Sequence, residues 1–192
     1  MIDTVKFQLS LCAVLCLVWV IQIFAVFPLE SRLLDPSIVS VASVLFLPSG
    51  VKVIFATVIG YRALVPIVVG TVFGMWLHTG DLLFSVQFSI LSSIALYIPV
   101  FILKALQKVS SDTDSSSTIN DPLSLSRDVL VISVVASLFN SWFGSFIYGN
   151  SESAWLHFLV GDLMGATCVL AILITVRRSL FRLIVRHIAP RA

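Results

Sequence analysis

Long apolar runs separated by short polar segments fill most of the chain. About 20 mainly apolar residues are enough to cross the hydrocarbon core of a bilayer as a helix. By this criterion the pattern predicts six membrane-spanning helices and therefore an all-α integral membrane protein. The predicted spans are residues 7–27, 38–60, 63–77, 82–103, 129–147 and 155–176.

The second and third predicted spans are irregular. Pro48, Ser49 and Gly50 interrupt the second span, and the third is short. Proline removes a helical hydrogen bond, and the freed backbone groups must find partners inside the protein. We therefore expect a six-transmembrane-helix bundle with a Pro/Gly-interrupted second helix, which is kinked, unwound or strongly tilted at that point.

Two polar stretches divide the chain. The serine-rich segment 104–128 is expected to be a flexible loop because it is polar and low in complexity. Residues 177–192 alternate arginines with apolar residues, a pattern typical of an amphipathic helix on the bilayer surface. Residues 1–176 are then one transmembrane domain, and its first apolar run lacks a small-residue cleavage site, which predicts an uncleaved anchor helix.

The composition supports this interpretation. Hydrophobic residues make up 58% of the chain and charged residues 11%, and the mean hydropathy is +1.07. The basic residues lie between the spans and after the last one, so we expect no nucleic-acid partner. The three cysteines fall in apolar runs and behave as small hydrophobes. No nucleotide loop, zinc-protease helix, serine nucleophile elbow, or kinase or cyclase signature is present, so we expect no enzymatic activity, no metal and no cofactor.

The distribution of lysine and arginine predicts the orientation in the membrane. If the N-terminus is cytoplasmic, Arg32 is the basic residue on the outer side and Lys52 lies within a span. The remaining ten of the twelve basic residues are then cytoplasmic, so both termini and the serine-rich segment face the cytoplasm. These ten are Lys6, Arg62, Lys104, Lys108, Arg127, Arg177, Arg178, Arg182, Arg186 and Arg191.

Two opposite charges lie within predicted spans, Lys52 and Asp162. A charge in a membrane span is costly and marks a functional site by default, and pairing is the cheapest way to accommodate two of them. Counted from the outer helix ends at about 1.5 Å per residue, Lys52 lies about 21 Å deep and Asp162 about 10 Å deep. The long lysine stem and the break at residues 48–50 would close that gap. Alternatively, Lys52 extends toward the inner surface while Asp162 faces an outer water-filled cavity.

Two functions remain open for these charges, a structural bridge that fixes helix register and a ligand or signal site. The candidate site comprises Pro48, Gly50, Lys52 and Asp162. Small residues four apart, Gly70 with Gly74 and Gly161 with Gly165, allow close helix packing. Because six helices offer many internal neighbours, we expect these contacts within the chain rather than in a homodimer.

Other polar residues give weaker indications of a binding site. His78 and His157 lie near the outer surface, and a pair of histidines could bind haem or a metal ion. No cysteine or carboxylate cluster accompanies them at metal-ligand spacing, which disfavours such a site. We expect the hydroxyl and amide side chains of the fourth and fifth spans to form hydrogen bonds between helices rather than to bind a substrate. These residues are Gln87, Ser89, Ser92, Ser93, Ser133, Ser137, Asn140 and Ser141.

Several short motifs occur together in this chain. The turn Leu47-Pro48-Ser49-Gly50 is followed by Gly60-Tyr61-Arg62, then by Pro66 and Gly70 to Gly74, and Gly161-Asp162-Leu163-Met164-Gly165 lies in the last span. In this order they resemble the membrane-associated sensor domain of the first class, a bacterial integral-membrane module. The resemblance spans residues 38–176, but Leu47 replaces the usual tryptophan-type residue, Lys52 is unusual, and no output domain follows.

Members of that family usually precede histidine kinases or cyclic-di-GMP enzymes, so the resemblance implies signal reception rather than catalysis. We expect a stand-alone sensor or adaptor in the bacterial inner membrane that passes a signal to such an enzyme in trans. The basic tail is a candidate contact for that partner or for anionic lipid of the bilayer. The alternatives are a substrate-binding subunit of a small-molecule transporter and a structural subunit of a membrane complex.

Overall fold

The computed structural model describes residues 2–33, 43–113, 122–148 and 152–188, and within these ranges every regular element is helical. A long N-terminal helix comprises α1 (Ile2–Ile21), a π-helical segment (Gln22–Val26) and α2 (Phe27–Leu33). The later helices are α3 (Leu47–Val58), a 3-10 turn (Gly60–Ala63), α4 (Leu64–Thr79), α5 (Leu82–Thr113), α6 (Pro122–Tyr148) and α7 (Glu152–Ile188).

Four of the described helices are long and apolar enough to cross a membrane, as in a multi-pass membrane protein. The predicted fifth span lies within α6, which is not among these four. The second predicted span is helical from Leu47 onward, and its residues 38–42 lie outside the described part. The four helices are Thr4–Leu33, Gly60–Thr79, Leu82–Leu106 and Trp155–Val176.

The break at Pro48 marks the start of a helix. Phe46 is the N-cap of α3, and Pro48 lies in its first turn, where a missing backbone N–H costs no helical hydrogen bond. Residues 43–46 before it are not helical. The described part of the second span is therefore a non-helical stretch followed by a 12-residue helix. This differs from the expected helix with an interruption in its middle.

Helix also covers most of the segment 104–128 that the sequence predicts to be a loop. α5 continues to Thr113 and α6 begins at Pro122, while residues 114–121 lie outside the described part. Residues 104–108 are lysine, alanine, leucine and glutamine, all good helix formers, so nothing stops α5 at the end of its apolar run. The basic tail that the sequence predicts from residue 177 onward also begins inside a longer helix, because α7 continues without a break to Ile188.

The short helix α3 lies at the centre of the bundle. It contacts α1, α4, α5, α6 and α7, while neighbouring outer helices pack against each other in the order α1, α4, α5, α6, α7. α3 turns into α4 at Gly60, whose positive φ of 74° suits glycine. The Tyr97 hydroxyl donates to the Gly60 carbonyl oxygen at 3.0 Å and holds that turn.

Polar side chains are gathered inside the bundle, whereas large apolar ones such as Leu83 and Phe101 are exposed on its outer surface, as expected where lipid is the solvent. Not all of the buried hydroxyls link helices as predicted. Ser93, Ser133 and Ser141 donate to the carbonyl four residues earlier in their own helix. Hydrogen bonds between elements are made by Ser89 to Val68, by Ser92 with Lys52, and by Asn140 with Asp162.

Candidate functional site

Residues 43–46, here called the entry segment, lead the chain into α3. Non-helical backbone is tolerated at membrane depth only where protein or water satisfies its polar groups. Three successive backbone N–H groups here have partners on other helices. Leu45 donates to Glu30 Oε1 at 2.7 Å, Phe46 to the Gly161 carbonyl at 3.0 Å and Leu47 to Gln22 Oε1 at 3.0 Å. The entry segment is thus fixed between the N-terminal helix and α7.

Gln22 and Glu30 were not predicted as site residues, yet both are buried. Gln22 opens the π-helical segment, a distortion that often marks functional sites. Its Nε2 donates to Ser43 Oγ at 3.0 Å, and Ser43 Oγ donates to Glu30 Oε2 at 2.7 Å. The signal in the sequence was a polar residue inside the first apolar run and an acidic residue shortly after it.

The Gly161 and Gly165 pair packs against the entry segment. A Cβ at Gly161 would collide with the Ser43 carbonyl oxygen, and one at Gly165 would collide with the Phe46 carbonyl oxygen. A Cβ at Gly50 would likewise collide with the backbone of Gly165. These glycines therefore allow two backbones to touch, as small residues do between membrane helices.

The other predicted glycine pair packs α4 against α1. A Cβ at Gly70 would meet the Leu15 side chain and one at Gly74 the indole of Trp19. Trp19 is 1% exposed, so Gly74 provides the space in which this large side chain is buried. The spacing of four residues places both glycines on one face of α4.

Lys52 projects from α3 into the bundle and is 4% exposed. Its Nζ donates to the Ser92 hydroxyl of α5 at 2.8 Å. A small cavity of ≈ 10 Å³ adjoins it, which is about the space that one water needs. This polar cavity is lined by Ser49, Lys52, Val53, Ser92, Leu96, Ala136, Asn140 and Asp162.

Asp162 is held on the opposite side of the polar cavity and is 2% exposed. Asn140 Nδ2 of α6 donates to its Oδ2 at 2.7 Å, and the Ser49 side chain also interacts with this carboxylate. Ser49 lies in the first turn of α3, where the helix dipole favours a negative charge. Groups on two helices, α3 and α6, thus stabilise the Asp162 carboxylate of α7.

The two opposite charges share a cavity without forming a direct ion pair. Among the described side chains, the one salt bridge within 4.0 Å is Arg127 with Asp128. The hydrogen bonds of Lys52 and Asp162 go instead to Ser92 and Asn140. A pair separated in this way is attracted across a low-dielectric gap that a water or a small movement can close.

A second cavity of ≈ 60 Å³ lies on the other side of Asp162 and is here called the aromatic cavity. Asp162, Asn140 and Ser43 provide its polar lining, so Asp162 and Asn140 border both cavities. The partly exposed Phe27 and Phe158 and the exposed His78 place one side of it near the surface of the bundle. Its remaining lining residues are Trp19, Phe46, Met75 and Phe88.

The structure brings the four predicted site residues together. Pro48 is fully buried in the first turn of α3 and Gly50 contacts α7, while Lys52 and Asp162 line the polar cavity. His78 packs its ring on Phe27 with centroids 4.8 Å apart. Within the described ranges no group of three histidine, cysteine or acidic residues could hold a metal ion.

Replacing Gln22 by leucine tests the importance of the entry segment. We expect Gln22→Leu to lower the free energy of unfolding by about 1–3 kcal/mol, because the Leu47 N–H loses its buried acceptor. Gln87→Leu is the matched control, since Gln87 is exposed on an apolar helix surface and should be nearly neutral. Thermal unfolding in detergent measures both variants, and equal effects would contradict this assignment.

Comparison of the chain with protein-family profiles, curated proteins and solved structures finds no match.

Proposed function

We propose that the chain is a membrane sensor or adaptor that receives a signal at the two cavities and passes it to a partner protein. The observation that carries this proposal is the buried pair of Lys52 and Asp162, each held by a neutral polar group rather than by the other charge. A switch requires an element with two arrangements of similar energy. Direct contact and separation of these two side chains are such arrangements.

The position of α3 supports a transmitting role. Lys52 lies on this central helix, which contacts five others, and the first turn of α3 also interacts with Asp162. Packed helices respond to a local change by shifting as rigid bodies. A signal that alters Asp162 would therefore displace α3 and change the packing of the surrounding helices.

The proposed location is the bacterial inner membrane with both termini cytoplasmic, which the lysine and arginine distribution supports. The proposed partner is a histidine kinase or a cyclic-di-GMP enzyme in trans. This choice rests on the order of the motifs from Leu47 to Gly165 and on the absence of catalytic motifs in the chain. The cytoplasmic ends of α5, α6 and α7 would provide the contact surface.

A transporter subunit is the second candidate, and one observation favours it. α3 begins inside the bundle beside an intramembrane carboxylate. Broken helices whose ends meet a central site are typical of transporter binding sites. Under this reading the aromatic cavity holds a substrate rather than a signal.

Purification of the tagged protein from its host membranes in a mild detergent distinguishes these functions. We expect a histidine kinase or cyclic-di-GMP enzyme to copurify, and its activity in a reconstituted complex to change at least about 5-fold when the Lys52 and Asp162 pair is disrupted, which corresponds to a coupling of about 1 kcal/mol. The measurement is the partner's phosphorylation or cyclase rate with wild-type protein and with Asp162→Asn.

Asp81→Asn is the matched control for this substitution. Asp81 is exposed and accepts a hydrogen bond from the Phe84 N–H at the start of α5, and asparagine caps a helix equally well. The control should leave the partner's rate unchanged. Copurification of an ATPase would support transport instead, and recovery of neither partner class would contradict the sensor proposal.

A further inference from the structure

Among the described residues that line the aromatic cavity there is one carboxylate, Asp162, and no lysine or arginine. Glu30, Lys52 and Asp162 are the buried charged residues among the described side chains. Glu30 and Lys52 do not line this cavity, and Asp162 makes no direct ion pair with a described residue. An uncompensated charge is costly in a membrane interior, so a monovalent cation at this site would be stabilised.

Both carboxylates are held by neutral hydrogen-bond donors. Glu30 accepts hydrogen bonds from Ser43 and from the Leu45 N–H. Asp162 accepts one from Asn140 and also interacts with the Ser49 side chain. No described lysine or arginine lies within 4.0 Å of either carboxylate. Ser43 links the two regions, because it bonds to Glu30 and lines the aromatic cavity together with Asp162.

The walls of the cavity suit an organic cation better than a hydrated metal ion. Five of its ten lining residues are tryptophan or phenylalanine, whose ring faces attract ammonium groups. A metal ion would need several oxygen ligands converging at short distance. At about 10–15 Å³ for each water-sized group, a cavity of ≈ 60 Å³ has room for about four to six non-hydrogen atoms.

One buried polar atom of a residue in the cavity wall has no hydrogen-bond partner. Trp19 lines the cavity and is 1% exposed, yet its Nε1 has no hydrogen-bond partner among the described residues. Buried indole N–H groups normally have an acceptor.

We propose that the aromatic cavity binds a small organic ammonium ion, with Asp162 as the counter-ion and the aromatic rings around the cationic group. This inference rests on the proposed function in one respect, because both take this site as the place where the signal is received. The ammonium group belongs either to a free amine or to the headgroup of a lipid, because one side of the cavity is near the bundle surface.

Thermal unfolding of the full chain in a maltoside detergent tests the charge requirement. Tetramethylammonium and ethanolamine should raise the unfolding temperature, by about 5–10 °C at a hundred times the dissociation constant. The neutral analogue tert-butanol should give no shift. An equal shift with tert-butanol, or no shift with either ammonium ion at saturation, would overturn the proposal.

Variants localise the binding. Asp162→Asn should abolish the ammonium-dependent shift, whereas Asp81→Asn should retain it in full. Because Asp162→Asn also removes a buried charge, Phe88→Leu provides a second test, and we expect it to weaken binding about 3- to 30-fold through loss of one aromatic wall. Unchanged ammonium affinity in a folded Phe88→Leu or Asp162→Asn protein would refute this site.

Lipid vesicles identify the source of the ammonium group. A higher unfolding temperature in phosphatidylethanolamine than in phosphatidylglycerol vesicles, without added amine, would support a headgroup ligand. A shift caused by ethanolamine in phosphatidylglycerol vesicles, with no higher unfolding temperature in phosphatidylethanolamine vesicles, would support a free amine. Ammonium binding without a copurifying kinase or cyclase would leave this inference standing and contradict the sensor function. Copurification of such an enzyme without ammonium binding would support the sensor function and overturn this inference.

Discussion

Lys52→Met is expected to lower the free energy of unfolding by about 3–5 kcal/mol, because it leaves the Asp162 carboxylate buried without a compensating charge. Asp162→Asn should cost a similar amount by isolating the Lys52 ammonium. The double variant Lys52→Met with Asp162→Asn should be more stable than the sum of the single effects predicts. The measurement is a double-mutant cycle from unfolding in detergent, with an expected coupling of about 1–3 kcal/mol.

Exchange of the two charges discriminates between a direct pair and the observed arrangement. In Lys52→Asp with Asp162→Lys, the new lysine faces the Asn140 amide, which now donates to the carboxylate. The new aspartate is too short to replace the Lys52 contact with Ser92. We therefore expect the exchange to be no more stable than either single change. Full rescue would show that the two charges form an interchangeable pair.

The sequence predicts the long apolar helices because a helix is the one regular structure that a single apolar run can form across a bilayer. Four such runs form long apolar helices in the structure, and their order agrees with the predicted spans. The start of α3 was harder to predict. A proline within an apolar run fits a kink or a helix start equally well. The acceptors provided by Gln22, Glu30 and the Gly161 carbonyl allow the non-helical entry segment.

The sequence singles out two of the residues that line the polar cavity. Lys52 and Asp162 are recognisable because charges are rare in membrane spans, and the structure places them at one cavity. Ser92 and Asn140 were expected to form interhelical hydrogen bonds, but their partners are set by the angles between α3, α5, α6 and α7. Nothing in the sequence pattern reveals those angles. The aromatic cavity depends on residues from distant helices, so it too emerges only from packing.

Gly165→Ala tests whether the close contact of α7 with the entry segment holds the site together. The added methyl would collide with the Phe46 carbonyl oxygen, and backbone on both sides leaves little room for adjustment. Alanine favours an exposed helix by about 1 kcal/mol over glycine, so propensity alone predicts stabilisation. We expect instead a loss of about 1–3 kcal/mol or more in the free energy of unfolding, together with weaker protection of the Phe46 N–H from hydrogen exchange.

Gly144→Ala is the matched control for this prediction, because it adds the same methyl to a buried helical glycine. There the nearest atom is 3.3 Å away in the Phe158 ring, a side chain that can shift by a few tenths of an ångström. Helix propensity should then dominate, and the variant should be neutral or slightly stabilised. If both variants behave alike, the glycine contacts contribute only general packing. If Gly165→Ala alone is destabilised and Phe46 exchanges faster, the entry segment depends on backbone contact with α7, and so does the position of Lys52 relative to Asp162.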